Sequence, residues 1–139
     1  MERGTTMNTG QKGDIAETRA IAELVELGYR VSVPTSGHCP YDLVLDTDDE
    51  LLKIQVKHAT LRDDERMLRC SLKRSNPNAT GTNDSYYGAN EVDAYLIFCP
   101  EKETLYWIDF DDAPAANVVL RFESSVDHPG IRWADEYEL

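Results

Sequence analysis

Long apolar runs are missing from this chain. No stretch of its 139 residues is apolar enough to cross a bilayer, which excludes a helical membrane protein. Residues 1–13 are polar and hold no apolar signal-peptide core, so a soluble, cytoplasmic protein is expected. Cysteine is scarce too. Cys39, Cys70 and Cys99 are an odd count, far apart, with no Cys-x-x-Cys pair. That excludes a disulfide framework and a structural zinc site. His38, Cys39 and His58 lack the tight spacing of soft-metal ligands. Lysine is the rarest charged residue: five Lys and nine Arg face 26 Asp and Glu, for a net charge of −12. This balance speaks against nucleic-acid binding, since phosphate contacts need cations.

What positive charge there is lies unevenly. Lys57 to Arg74 holds six basic residues against three acids, whereas from Asp84 onward thirteen acids face three basic residues. A basic segment of this kind suits a DNA-binding face, with Arg62, Arg66, Arg69 and Arg74 tracking the backbone. Solvated strand-edge charges are the plainer alternative. Many acids, few lysines and more Arg than Lys also fit a halophilic cytoplasm. At 1 M salt the screening length is only about 3 Å, so repulsion between DNA and remote acids is strongly damped. An ordinary acidic protein with no nucleic-acid partner is the rival account of the same charge.

At this length one domain with a real core is expected. The pattern divides the chain into a flexible N-terminal tail (1–8), a domain (9–123) and an acidic C-terminal tail (124–139) anchored by Trp133. Thr9 is the expected cap of a helix running to about Leu27, with Gly28 as its stop. Its apolar stripe is Ala20, Ile21, Leu24 and Val25, with Glu17 on the inward face. Residues 29–34 alternate as a strand, and 35–41 form a loop. Residues 42–46 and 51–58 read as two strands around a turn at 47–50, and 67–72 as another. A loop rich in Ser, Asn, Pro and Gly spans 75–90. Strands at 94–98, 105–109 and 118–122 follow, with a turn at 100–103 and a short helical turn at 111–116. Strands mixed with one long first helix indicate an α/β or α+β protein.

The hairpin carries the chemistry. A four-residue loop at 47–50 places Asp42 across from Gln55, on one face, with Cβ atoms about 4.5–5.5 Å apart. Lys57, two residues on, shares that face, while Ile54 and Val56 point into the core. A one-residue slip would bury the wrong face, so the apolar pattern itself selects this register. Mg²⁺ or Mn²⁺ takes hard oxygen ligands, which Asp42, the Gln55 amide and the Val56 carbonyl can supply, with Glu17 reaching in from the helix. Lys57 could orient or deprotonate a water and stabilise charge developing on a phosphate. Such a set suits metal-assisted hydrolysis of a phosphodiester. Taken singly, Asp42 could cap a turn, and Gln55 and Lys57 could face solvent. Four polar groups converging on one sheet end are hard to explain as decoration.

Gln11-Lys12-Gly13-x-x-x-Glu17, Pro40-Tyr41-Asp42 and Gln55-Val56-Lys57 resemble the PD-(D/E)XK nuclease superfamily, near its Holliday junction resolvase-like and group I intron homing endonuclease-like branches. The resemblance implies a restriction-endonuclease-like core, a mixed four- to five-stranded sheet with flanking helices. It also implies Mg²⁺- or Mn²⁺-dependent DNA cleavage, with Glu17, Asp42 and Gln55 at the metal and Lys57 as the catalytic lysine. Ser36 would sit near metal-bound water or phosphate, and Lys12 near DNA. A homodimer or higher oligomer is expected, since relatives that cut two strands pair their sites by symmetry. Two departures stand out: Tyr41 separates Pro40 from Asp42, and Gln55 replaces an acid. A catalytically weak or inactive DNA-binding module is therefore the rival, and an interaction protein without a site is a third reading. Tyr86 and Tyr87, in the 75–90 loop, either stack on bases, sit over the site, or pack beneath the loop.

Overall fold

The computed structural model describes residues 7–74 and 85–139. Residues 1–6 of the expected 1–8 tail and most of the 75–90 loop lie outside these residues. Helix α1 (Thr9–Glu26) begins one residue earlier than the expected cap implies, because Asn8 is the N-cap. The Asn8 side chain accepts from the Gln11 N–H, and the Gln11 side chain accepts from the Asn8 N–H. This reciprocal box satisfies two orphan donors. A cap at Thr9 would place Lys12 at the reciprocating position, and Lys has no acceptor to offer. At the other end Gly28 takes φ +96°, the left-handed turn that stops the helix. The buried stripe is narrower than expected: Ala16, Ala20 and Leu24 are buried and Ile21 partly so, whereas Val25 is 54% exposed. Two alanines in that stripe let the helix lie close on the sheet.

Five strands form the main sheet: β1 (Arg30–Ser32), β2 (Leu43–Asp46), β3 (Leu51–His58), β6 (Ala94–Cys99) and β7 (Thr104–Asp109), side by side in that order. Pairing is antiparallel except between β3 and β6. The hairpin register is the expected one from Asp46 opposite Leu51 to Leu43 opposite Ile54, where the pairing ends, short of the expected Asp42–Gln55 pair. A smaller antiparallel sheet holds β4 (Thr60–Arg62), β5 (Met67–Ser71) and β8 (Asn117–Arg121), with β5 in the middle. The class and the five-stranded mixed sheet are those expected. The flanks differ: α1 is the one α-helix among the described residues, and it covers one face. The other face packs on the small sheet.

Strand β6 shows why. Ala94, Leu96 and Phe98 enter the core beneath α1, while Tyr95, Ile97 and Cys99 enter the core shared with the small sheet. A strand buried on both faces reads as a continuous apolar run, which is what Ala94–Cys99 is. Leu96 is wholly buried. Truncating such a leucine to alanine costs about 2–5 kcal/mol.

Two further details complete the fold. The helical turn at 111–116 is a hydrogen-bonded turn in which the Ala113 N–H reaches the Asp109 carbonyl, and no helix forms. Pro114, with no N–H and a ring that crowds the preceding turn, prevents its extension. The last residues pack back on the fold. Leu139 N–H donates to the Leu105 carbonyl, Trp107 N–H to the Tyr137 carbonyl, and Ala134 is buried. This return covers the free edge of β7, which would otherwise present unpaired donors and acceptors.

Candidate active site

Backbone direction along β3 builds the site. The Asp93 N–H donates to the Lys53 carbonyl and the Ala59 N–H to the Phe98 carbonyl, so odd-numbered residues turn their backbone groups toward β6 and its flanks. Even-numbered residues turn theirs toward β2. The Asp42 N–H donates to the Ile54 carbonyl at 2.8 Å. One rung further, β2 has ended, and the Val56 N–H donates instead to Asp42 Oδ2 at 2.9 Å. The carboxylate thus replaces a ladder rung and is held by the sheet itself. The Val56 carbonyl faces the same edge, beyond the end of β2. Gln55 joins it there, its side-chain amide 3.4 Å from that carbonyl.

Lys57 lies two residues beyond Gln55 on the face toward the small sheet, opposite Ile97 of β6. Its Nζ donates to the Lys73 carbonyl at 2.9 Å and to Tyr87 Oη at 3.3 Å. The Tyr87 ring is 5.1 Å from the same nitrogen. Glu17, half-buried on α1, lines a cavity of about 300 Å³ together with Ser36, Cys39 and Asp42.

The electrostatics are strained in a consistent direction. Burial raises the Asp42 carboxyl above its ordinary value, and the Val56 N–H and Lys57 only partly offset that. Glu17 is raised by burial, then by the charges of Asp42 and Asp14. Lys57 is lowered by burial, against the opposing pull of Cys70 and Asp42. His58 is lowered by burial and by Lys12 and Lys57. Two carboxyl groups kept partly out of water, with Asp42 disfavouring ionisation of Glu17, are what a cation between them would relieve. Apart from the Cys39 thiol on the cavity wall, the donors at this edge are oxygens: carboxylates, a backbone carbonyl and, after a half-turn, the Gln55 amide. That set suits a hard divalent ion such as Mg²⁺ or Mn²⁺. Among the described residues no group of three or more His, Cys, Asp or Glu is placed to hold a metal. The donor set therefore fits only with the amide and the carbonyl included.

The structure brings Glu17, Ser36, Asp42, Gln55, Val56 and Lys57 to one end of the main sheet. Arg74 joins them by another route: its guanidinium lies 5.7 Å from the Tyr87 ring and 2.7 Å from Glu91 Oε2. Lys12, exposed on the first turn of α1, acts electrostatically on His58. Arg62, Arg66 and Arg69 stand exposed on the β4–β5 hairpin. Arg66 helps line a separate groove of about 550 Å³ with Asp63, Arg121 and His128. Tyr87 lies over Lys57, one of the places open to it from sequence. Its ring packs edge-on against Tyr95 at 5.9 Å, and its hydroxyl meets the lysine. An aromatic pair in a polar loop was the only signal for it.

A family model described as PD-(D/E)XK endonuclease matches residues 7–139. Among solved structures, a bacterial homing endonuclease, I-Ssp6803I, aligns with a TM-score of 0.79 at 27% identity. The alignment covers 95% of this chain and 89% of that one. No curated protein sequence matches the chain.

Proposed function

The chain belongs to the PD-(D/E)XK endonuclease family, and on that premise we propose that it hydrolyses DNA phosphodiester bonds with the help of Mg²⁺ or Mn²⁺. Asp42, Gln55, the Val56 carbonyl and Glu17 would hold the ion. Bound there, it would lower the pKa of a water and neutralise charge on the scissile phosphate. Asp42 is fixed by the Val56 N–H, so its free oxygen is aimed without a search over rotamers. Lys57, with its pKa lowered by burial, takes or orients the water proton and offers positive charge to the phosphate oxygens. The observation that carries this reading is the shared cavity of Glu17 and Asp42, both raised toward protonation, beside a largely buried lysine.

Lys12, Ser36 and Arg74 are the nearer candidates for DNA backbone contacts, with Arg62, Arg66 and Arg69 further along the small sheet. In this reading the nuclease domain spans 9–123, with terminal extensions on either side, in a cytoplasmic homodimer or higher oligomer. The net charge of −12 supports a halophilic setting, where salt screens the acidic surface from DNA. Among the described residues no helix is long and apolar enough to cross a membrane.

One observation favours a second reading. Gln55 turns its amide nitrogen toward the Val56 carbonyl, offering a donor where a metal needs an acceptor. That suits a nuclease fold kept for DNA binding alone. Plasmid and branched DNA, incubated with Mg²⁺ or Mn²⁺ in low and multimolar salt, separate the two. Metal-dependent nicking that Lys57→Ala abolishes supports the nuclease; binding without cleavage in every condition supports the binding module.

A further inference from the structure

The four residues of the expected site do not account for how Lys57 is held. Its stem rises from β3 toward two segments that do not pair with that strand. There the ammonium meets the Lys73 carbonyl just past β5 and the Tyr87 hydroxyl. Tyr87 adds its ring face, 5.1 Å from the nitrogen. A desolvated ammonium over such a face gains more than an exposed one.

Tyr87 is itself tied down on several sides. The Arg74 N–H donates to the Ser85 carbonyl at 2.8 Å, which fixes the chain two residues before it. Glu91 Oε1 accepts from the Gly88 N–H at 2.9 Å while Oε2 takes the Arg74 guanidinium at 2.7 Å. The Lys53 ammonium donates to the Asn90 carbonyl. Beneath the ring, the nearly inaccessible Tyr95 forms a floor. Residues 85–91 therefore form a short strap from the bridge at Arg74 toward β6, carrying one aromatic side chain to the lysine. Its neighbour Tyr86 is exposed.

We infer that Tyr87 is a positioning residue for Lys57, with its hydroxyl and ring fixing the ammonium between strap and sheet. The inference rests on the assignment of Lys57 to the reaction under the proposed function. Two of the three ammonium hydrogens are engaged by the Lys73 carbonyl and the phenol. The lysine is spared a search over rotamers when substrate arrives.

The test uses Tyr87→Phe and Tyr87→Leu in the full chain. Phe keeps the ring against Tyr95 and removes the hydrogen bond; Leu keeps apolar bulk and removes both contacts. The expected falls in kcat are about 3- to 10-fold for Phe and about 10- to 100-fold for Leu, with KM within about 2-fold of wild type. In a Lys57→Ala background neither change lowers cleavage further. Wild-type kcat in both variants, or a change in KM alone, overturns the inference, and the latter marks Tyr87 as a base-stacking residue instead. A second readout needs no activity. The ε-methylene protons of Lys57 should show an upfield ring-current shift by NMR, kept in Phe and lost in Leu. A cleaving wild type without that shift overturns this inference alone. A wild type that shows the shift but cleaves nothing supports the contact and overturns the nuclease reading.

Discussion

Asp46 and Asp42 stand four residues apart on one stretch of chain and meet opposite treatment. Asp46, at the turn end of β2, accepts from the Asp48 N–H at 2.9 Å and from Arg30 Nε at 3.2 Å. Its carboxyl is held below its ordinary value by the Asp48 N–H and then by Arg30. Arg30 also pairs with Asp48. Asp42, at the other end, has one N–H and a lysine acting at a distance. Burial outweighs both, and its carboxyl is raised. One end of the hairpin is arranged for stability at neutral pH, the other against it. A carboxylate left under-compensated in a half-buried cavity is a common mark of a working site.

The sharpest way to break this comparison is Lys57→Ala, which should lower DNA cleavage on the order of 10³-fold while leaving the fold intact by circular dichroism. Near-normal cleavage would remove the working end from the contrast altogether. Asp42→Asn should cost on the order of 10²-fold in kcat, because the amide keeps an acceptor for the Val56 N–H and loses the charge. Asp46→Asn should leave kcat unchanged.

Metal sharpens the contrast next. At about 100 times its Kd, Mg²⁺ or Mn²⁺ should raise the wild-type Tm by about 5–10 °C and leave Asp42→Asn where it was. An equal rise in both proteins would place the ion elsewhere.

Smaller effects follow in stability without metal. Since the folded-state pKa of Asp42 is raised, its ionisation works against folding at neutral pH. Asp42→Asn should therefore melt about 2–4 °C above wild type near pH 7. The gap should close as pH falls through the raised value and vanish below the ordinary 3.8, where the acid is neutral in both states. For Asp46 the sign reverses: its lowered pKa contributes stability present at neutral pH and lost in acid. Lying at the surface, only partly covered, it should lose only about 2 °C or less on change to Asn, by scanning calorimetry at pH 7. Asp42→Asn melting below wild type at neutral pH would contradict the contrast.

The hairpin and most of α1 were legible because their signals are local and mutually consistent. Alternation over residues 51–58 admits one register, and that register sets Asp42 against the end of β3. The cap moved by one residue because reciprocity with Gln11 outweighs the preference of Thr9. Strand β4 left no pattern, being three residues whose partner strand alone keeps them extended. The cover of the second face was not legible because the small sheet is assembled from distant pieces. Its β5–β8 pairing joins residues about fifty positions apart. Tyr87 was only one of several possibilities, since its partner Lys57 lies thirty residues away.

By itself the sequence determined the helix, the hairpin register and the face on which Gln55 and Lys57 stand. Period-two and period-3.6 burial are properties of neighbouring residues. Only the tertiary structure decided that Glu17 and Asp42 share a cavity, that a phenol covers the lysine, and that a sheet closes the second face. Each of these depends on desolvation and charge between segments far apart along the chain, and neither exists until the chain has folded.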